Sequence, residues 1–246
     1  MFERALSIQV DIENFALITH AVPASRVRPH IPEPLRLQTF PDDGGEEIAL
    51  ISSSSFCNRQ LHWSLARYPA IDFDQNTYRT YVTYKGNWGS YFFGTNLSTR
   101  LSYLAQCAVA AESFYAEFDA DIRSGPEGYL HYSCRSVASY GELSFELEAT
   151  DAPSAKQPFA TGREHSDFIT YRLHGFSRSP LGGYTHGPIL HRRMEPWEGR
   201  LHSGRFDFWH ALGILEPDEA LNAYSVLVEP SVRFTLLPPR PLRVSS

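Results

Sequence analysis

Only Lys85 and Lys156 among the 22 basic side chains are lysines, and every other one is arginine. Amine nucleophiles are therefore confined to two positions, while planar guanidinium groups suited to carboxylates are abundant. Arg79 stands in Thr77-Tyr78-Arg79-Thr80-Tyr81-Val82, where every other residue favours a strand. Thr77, Arg79, Tyr81 and Thr83 then share one face, and Tyr78, Thr80 and Val82 the other. If the first face looks inward, the guanidinium is a buried cation that needs a carboxylate, from the protein as a structural ion pair or from a ligand. Tyr81, Tyr91, Glu112 and His131 are of the types that transfer protons. Glu112 continues an apolar helix stripe and is either an acid at the edge of that face, where burial would favour the neutral form, or a solvated glutamate at the helix end. Arg100, in the first turn of that helix, opposes the dipole's preference for acids there.

Other chemistries lack their residues. His186 with His191, and His202 with Asp207 and His210, have no recognised ligand spacing, so no metal is expected. Asp72-Phe73-Asp74-Gln75-Asn76 resembles the start of a calcium loop, but Thr77 replaces its glycine and Thr83 its closing glutamate. Glycine-rich phosphate loops, HExxH and GxSxG are missing, and no cofactor is expected. A formal charge of −6 without a basic run argues against a nucleic-acid partner and a membrane-surface patch. The N-terminal residues have charges at Glu3, Arg4, Asp11 and Glu13, unlike a signal peptide, and no run is long and apolar enough to span a membrane. Cys57, Cys107 and Cys134 are odd in number and widely spaced, which suits reduced thiols and a cytoplasmic location.

The elements that must position these residues are mainly strands. Apolar alternation predicts them at Ala5 to Ile12, Phe15 to Val22, Glu47 to Phe56, Thr77 to Tyr84, Gly89 to Leu97, Tyr129 to Val137, Glu142 to Ala149, Phe168 to Leu173, Arg200 to Phe208 and Tyr224 to Leu236. Tyr81 to Tyr91 has the form of a hairpin whose glycines, Gly86 and Gly89, supply positive φ at the turn. One main helix is expected after the caps Ser98 and Thr99, with Leu101, Leu104, Ala105, Ala108 and Val109 facing the sheet. Shorter helices are expected at Ala24 to Arg28 and Asp218 to Ala223. Asn58 to Gln75 and Asp151 to Arg163 are expected to be surface loops. The fold class is α+β, predominantly antiparallel β. A single domain over residues 1–246 is expected, its sheet closed into a barrel able to enclose a small-molecule ligand.

Several stretches carry a family resemblance. They are Ile31-Pro32-Glu33-Pro34-Leu35, Asn76 through Val82, Tyr91-Phe92-Phe93 and Ser98-Thr99-Arg100-Leu101, together with Tyr84-Lys85-Gly86 through Gly89-Ser90-Tyr91. Their order resembles the YqjF-like family of bacterial proteins within the acetoacetate decarboxylase-like superfamily. The resemblance extends over residues 30–118, with looser similarity at Phe168 through Leu173 and His191 through Trp197. It implies an acetoacetate decarboxylase-like barrel with one main covering helix. In the decarboxylases that helix leads to a lysine pair, one of which forms a Schiff base with a β-keto acid. Here Ser113-Phe114-Tyr115 occupies the corresponding stretch, and no lysine stands there. The resemblance thus implies a cavity without the imine-forming amine, with Arg79, Tyr81, Tyr91, Arg100, Phe114 and Tyr115 as the expected ligand-binding set.

Two functions fit. One is a protein that encloses a small apolar or carboxylate-bearing molecule. The other is a lysine-independent lyase, isomerase, cyclase or hydrolase acting on a keto or enol compound, with Glu112, Tyr81, Tyr91 and His131 as the acid–base candidates. An interaction module is less well supported, and a homo-oligomer is left open.

Overall fold

The structure, a computed structural model, describes residues 6–42 and 44–242. In chain order, β1 (Ile8–Pro23) is followed by the short helix α1 (Ala24–Val27), the small strands β2 (Arg36–Leu37) and β3 (Thr39–Pro41), and a long hairpin of β4 (Glu47–Trp63) and β5 (Ala66–Tyr84). Next come β6 (Asn87–Leu97), helix α2 (Arg100–Cys107), the short β7 (Ser113–Tyr115), and a meander of β8 (Glu117–Gly125), β9 (Gly128–Ala138) and β10 (Gly141–Asp151). Helix α3 (Gly162–Thr170), the hairpin β11 (His174–Arg178) and β12 (Tyr184–Leu190), β13 (Trp197–Phe206), helix α4 (Asp207–Ala211), β14 (Ser225–Leu236) and β15 (Arg240–Pro241) complete it. No described helix is long and apolar enough to cross a membrane.

The sheet closes on itself. β1, β4, β5 and β6 pair in succession, β6 pairs in parallel with β11, and β11 with β12. Ile189 and Leu190 of β12 then meet Leu236 and Thr235 of β14, which returns to β1. The result is a seven-stranded barrel. From β14 the sheet also continues outward through β13, β10, β9 and β8 as a wing.

Strand alternation gives this barrel two cores. Ala16, Ile18, Tyr78 and Val82 point outward and pack with Leu143, Phe145, Phe206 and Trp209 of the wing and α4. Val10, Ile12, Phe15, Leu17, Phe56 and Tyr81 point inward and meet Phe168 and Ile169 of α3. Even-numbered residues face inward before Asn14 and odd-numbered ones after it. A bulge between Glu13 and Ala16, with Asn14 at φ 52°, makes that change of phase. The two strands expected at Ala5 to Ile12 and Phe15 to Val22 are therefore one bent strand, with Ala5 outside the described residues.

Other expectations change as well. The helix expected at Asp218 to Ala223 is a single 3-10 turn at Pro217–Glu219, and the strand expected at Arg200 to Phe208 ends at Phe206, where α4 begins. Asn58 to Gln75, expected as a loop, forms the arms of the β4–β5 hairpin, with only the tip around Ser64 and Leu65 turning. Its polar residues conceal Leu61, Ile71 and Phe73, which line the interior. Phe168 to Leu173 is not a strand: Thr161 caps α3 by accepting from the Glu164 N–H, and His165, Phe168 and Ile169 bury one helical face. Helix α2 has the expected Thr99 cap but only 8 residues. Leu101 and Leu104 of its apolar stripe face outward, 62% and 65% exposed, while Ser102 is buried and Ala105 and Val109 edge the interior. After the helix, the Ala111 N–H donates to Arg178 O and the Thr95 N–H to Glu112 O, drawing the chain into β7 beside β6. Finally, the β5–β6 turn is made by Lys85 and Gly86, both at positive φ, as in a two-residue hairpin loop. Gly89 lies in the strand, where a Cβ would stand 2.5 Å from the His174 carbonyl oxygen, so its role is the close approach of β6 to β11.

Candidate ligand cavity in the barrel

The barrel encloses a cavity of about 420 Å³. Val10, Phe15, Phe56, Phe73, Phe92 and Phe234 supply much of its apolar wall. Trp63 and Leu61 of the long hairpin, with Gln106 and Val109 at and after α2, line another part. Arg79, Arg172, Ser90, Thr170 and His191 are its polar side chains near α3 and the ends of β11 and β12.

Arg79 is on the inward face of β5, 7% exposed, and its Nη2 donates to Ile169 O at 3.0 Å. Arg172 follows α3 and is 3% exposed; its Nε donates to Phe168 O at 2.5 Å and its Nη1 to Gln38 Oε1 at 3.0 Å. The C-terminal carbonyls of α3, left without helical partners and at the negative end of its dipole, thus hold both cations. Neither arginine has a carboxylate partner among the described residues. Arg79 Nε and Arg172 Nη2 are buried without an acceptor, and so is the Ser90 hydroxyl. Burial first, with the Arg79 charge adding to it, lowers the Arg172 pKa to about 9, which leaves it protonated at neutral pH. Its guanidinium carbon lies 3.9 Å from the Phe168 ring centre and 5.0 Å from that of Tyr81.

Of the residues expected to bind or react, Arg79 and Glu112 line this cavity. Glu112 is not in the helix but between α2 and β7, a third exposed, and its Oε1 accepts from Arg178 Nη1 at 3.1 Å. Tyr81 lies beneath the two arginines without lining the cavity, its hydroxyl 2.6 Å from Ser52 Oγ. The others stand elsewhere because strand parity and the shortened helix turn them away. Tyr91 packs on Phe93 in the outer core, and burial pushes its phenol well above the ordinary range. His131 bridges Asp121 and Glu146 at 3.6 and 3.4 Å on the wing. Phe114 packs on Tyr140 and Phe208 in the outer core. Arg100 lies over the Tyr115 ring at 5.8 Å, outside the cavity lining.

Sequence reasoning missed Arg172 and Ser90 and weighed His191 only as a metal ligand. Arg172 was hidden by the expectation of a strand at that point; the helical spacing of His165, Phe168 and Ile169 is the signal that places it at a helix end. No group of three or more metal-ligating side chains occurs among the described residues. Neither lysine lines the cavity: Lys85 Nζ is 5.2 Å from the Tyr84 ring centre, and Lys156 Nζ pairs with Glu198 at 3.0 Å.

Among solved structures, the chain is similar to an acetoacetate decarboxylase-like enzyme from Sphingomonas wittichii RW1, with a TM-score of 0.61 and 11% identity over 97% of this chain and 93% of that one. It is similar to the enduracididine biosynthesis enzyme MppR complexed with pyruvate, with a TM-score of 0.62 and 14% identity over 98% and 91% of the two chains. An acetoacetate decarboxylase from Legionella pneumophila gives a TM-score of 0.61 and 10% identity over 96% and 87%. These likenesses show the fold. No curated protein matches the chain. The model of the DUF2071 family, "Uncharacterized conserved protein (COG2071)", matches residues 9–229, so the chain belongs to that family and carries it on an acetoacetate decarboxylase-like barrel.

Proposed function

We propose that the barrel binds a small organic acid, with Arg79 and Arg172 holding its carboxylate and the aromatic wall taking its apolar body. The observation that carries this reading is the pair of buried guanidinium groups in one cavity wall, with no carboxylate paired to either among the described residues and an N–H of each left without an acceptor. Helix carbonyls supply part of the compensation, but a bound anion would supply a full opposite charge. A cavity of about 420 Å³ has the size of an ordinary small-molecule site. MppR is complexed with pyruvate, also a carboxylate, on a similar barrel. With no lysine in the lining, a Schiff base with a bound keto acid has no amine to form from. The three cysteines are free thiols, which agrees with a cytoplasmic location.

Octanoate, octanol and octylamine share a chain and differ in head group, so calorimetric titration with the three tests the reading. Octanoate should bind to the protein, with Arg79→Met and Arg172→Met each weakening it about 10- to 100-fold, the range of a charge-assisted hydrogen bond. Equal binding of octanol and octanoate, or unchanged octanoate affinity in both variants, would overturn the arginine anchor.

A further inference from the structure

We propose that His191 is the acid–base residue of this cavity and moves a proton at the carbon beside the carbonyl of a bound 2-oxo acid. The proposal rests on the carboxylate reading above and adds a substrate class and a reaction to it.

His191 follows the end of β12 and lines the cavity with Arg79 and Arg172. Its ring is held on two sides, stacked on Phe234 at 4.6 Å and meeting Tyr171 edge-on at 5.5 Å. Nδ1 lies 2.7 Å from the Arg192 carbonyl oxygen. A carbonyl can only accept, so Nδ1 carries the proton and Nε2 of the neutral ring carries the lone pair. Nε2 has no hydrogen-bond partner among the described residues. Burial, together with the charges of Arg79 and Arg192, holds the imidazole below its ordinary range and therefore neutral at pH 7. The same ring also lines a shallower depression with Ser7, Gln9, Ser64 and Arg233, which gives a route for proton exchange with solvent.

Two guanidiniums suit this chemistry better than one. One holds the carboxylate, and the other faces the oxygen on which charge develops. His191 Nε2 takes a proton from C3 of the 2-oxo acid as the C–H electron pair forms the C2–C3 double bond and the carbonyl π pair moves to oxygen. The resulting enolate is held by a guanidinium. Returning a proton from the imidazolium to C3 restores the keto acid, so the step needs no oxidant and no amine, and in D2O it replaces C3 hydrogen by deuterium.

The experiment follows the C3 proton signals of 2-oxooctanoate by NMR in D2O, with octanoate affinity measured on the same samples. The full chain should accelerate exchange over the protein-free rate. His191→Gln should slow it about 100-fold or to background, consistent with the usual contribution of an acid–base group. Octanoate affinity should stay within about threefold of the parent, since the carboxylate anchor is intact. His191→Asn, whose side-chain amide can still donate to the Arg192 carbonyl, is the second variant should the first fail to fold, and the same loss is expected. Octanoate binding without accelerated exchange overturns the role of His191 and leaves the binding reading standing. Parent-like exchange in a folded variant does the same. Absence of binding to both acids overturns both.

Discussion

A buried arginine is held either by a partner or by the usefulness of its charge. Arg79 and Arg172 have carbonyl and amide acceptors, yet each keeps a buried N–H without one. Both charges are buried and so cost desolvation in the folded protein, and burial lowers the Arg172 pKa. Arg79→Met and Arg172→Met should therefore lose organic-acid binding while keeping a urea midpoint at or above that of the parent chain. A structural role predicts the reverse, a fall of several kcal/mol with binding unaffected. Arg79 could be read in the sequence because one charged residue interrupts a β-favouring run. Arg172 could not, because its place depends on where α3 ends over the barrel, and no local pattern specifies that.

Barrel closure depends on elements that approach closely. Among the described barrel strands β6 and β11 form the one parallel pair, and Gly89 lets the backbones meet: a Cβ there would stand 2.5 Å from His174 O and 2.6 Å from Phe176 Cε2. Gly89→Ala should destabilise the chain by about 1–3 kcal/mol, the range for overpacking a close contact, measured by urea unfolding. Helix α2 behaves oppositely. Its Leu101 and Leu104 are exposed, so Leu101→Ser and Leu104→Ser should each change stability by no more than about 0.5 kcal/mol. Had the stripe packed on the sheet, as the spacing implied, each would cost several times that. Periodicity identifies an apolar face but not what covers it. Here the chain leaves the helix after 8 residues to pair as β7, and Leu101 and Leu104 stay outside.

The whole molecule is expected to lose stability in mild acid. Burial lowers the pKa of His20, His165, His174, His186 and His191 below 6.5. The unfolded chain takes up these protons near pH 6.5, while the folded chain resists until lower pH. Their contribution is present above pH 6.5 and is lost as pH falls through that value toward the folded pKa values. Glu229, raised by burial, acts in the opposite direction but is one group against five. The thermal midpoint should fall between pH 7 and pH 5, and His165→Gln should make that fall shallower. A flat midpoint over this window would show that the histidines are not held neutral by the fold.

The chain's composition and local patterns determined the antiparallel β class, the Thr99 cap, which residues of β5 share a face and the scarcity of amines. These depend on neighbours a few residues apart, where side-chain alternation and backbone preference act directly. Tertiary structure decided the rest: the one-residue bulge that makes a single β1 serve both cores, the burial of Arg172 beside Arg79, and the placing of His191 rather than His131 in the cavity wall. Each requires segments far apart in sequence to meet at a common point. Distance along the chain carries no information about which inward-facing side chains share an end of a closed barrel.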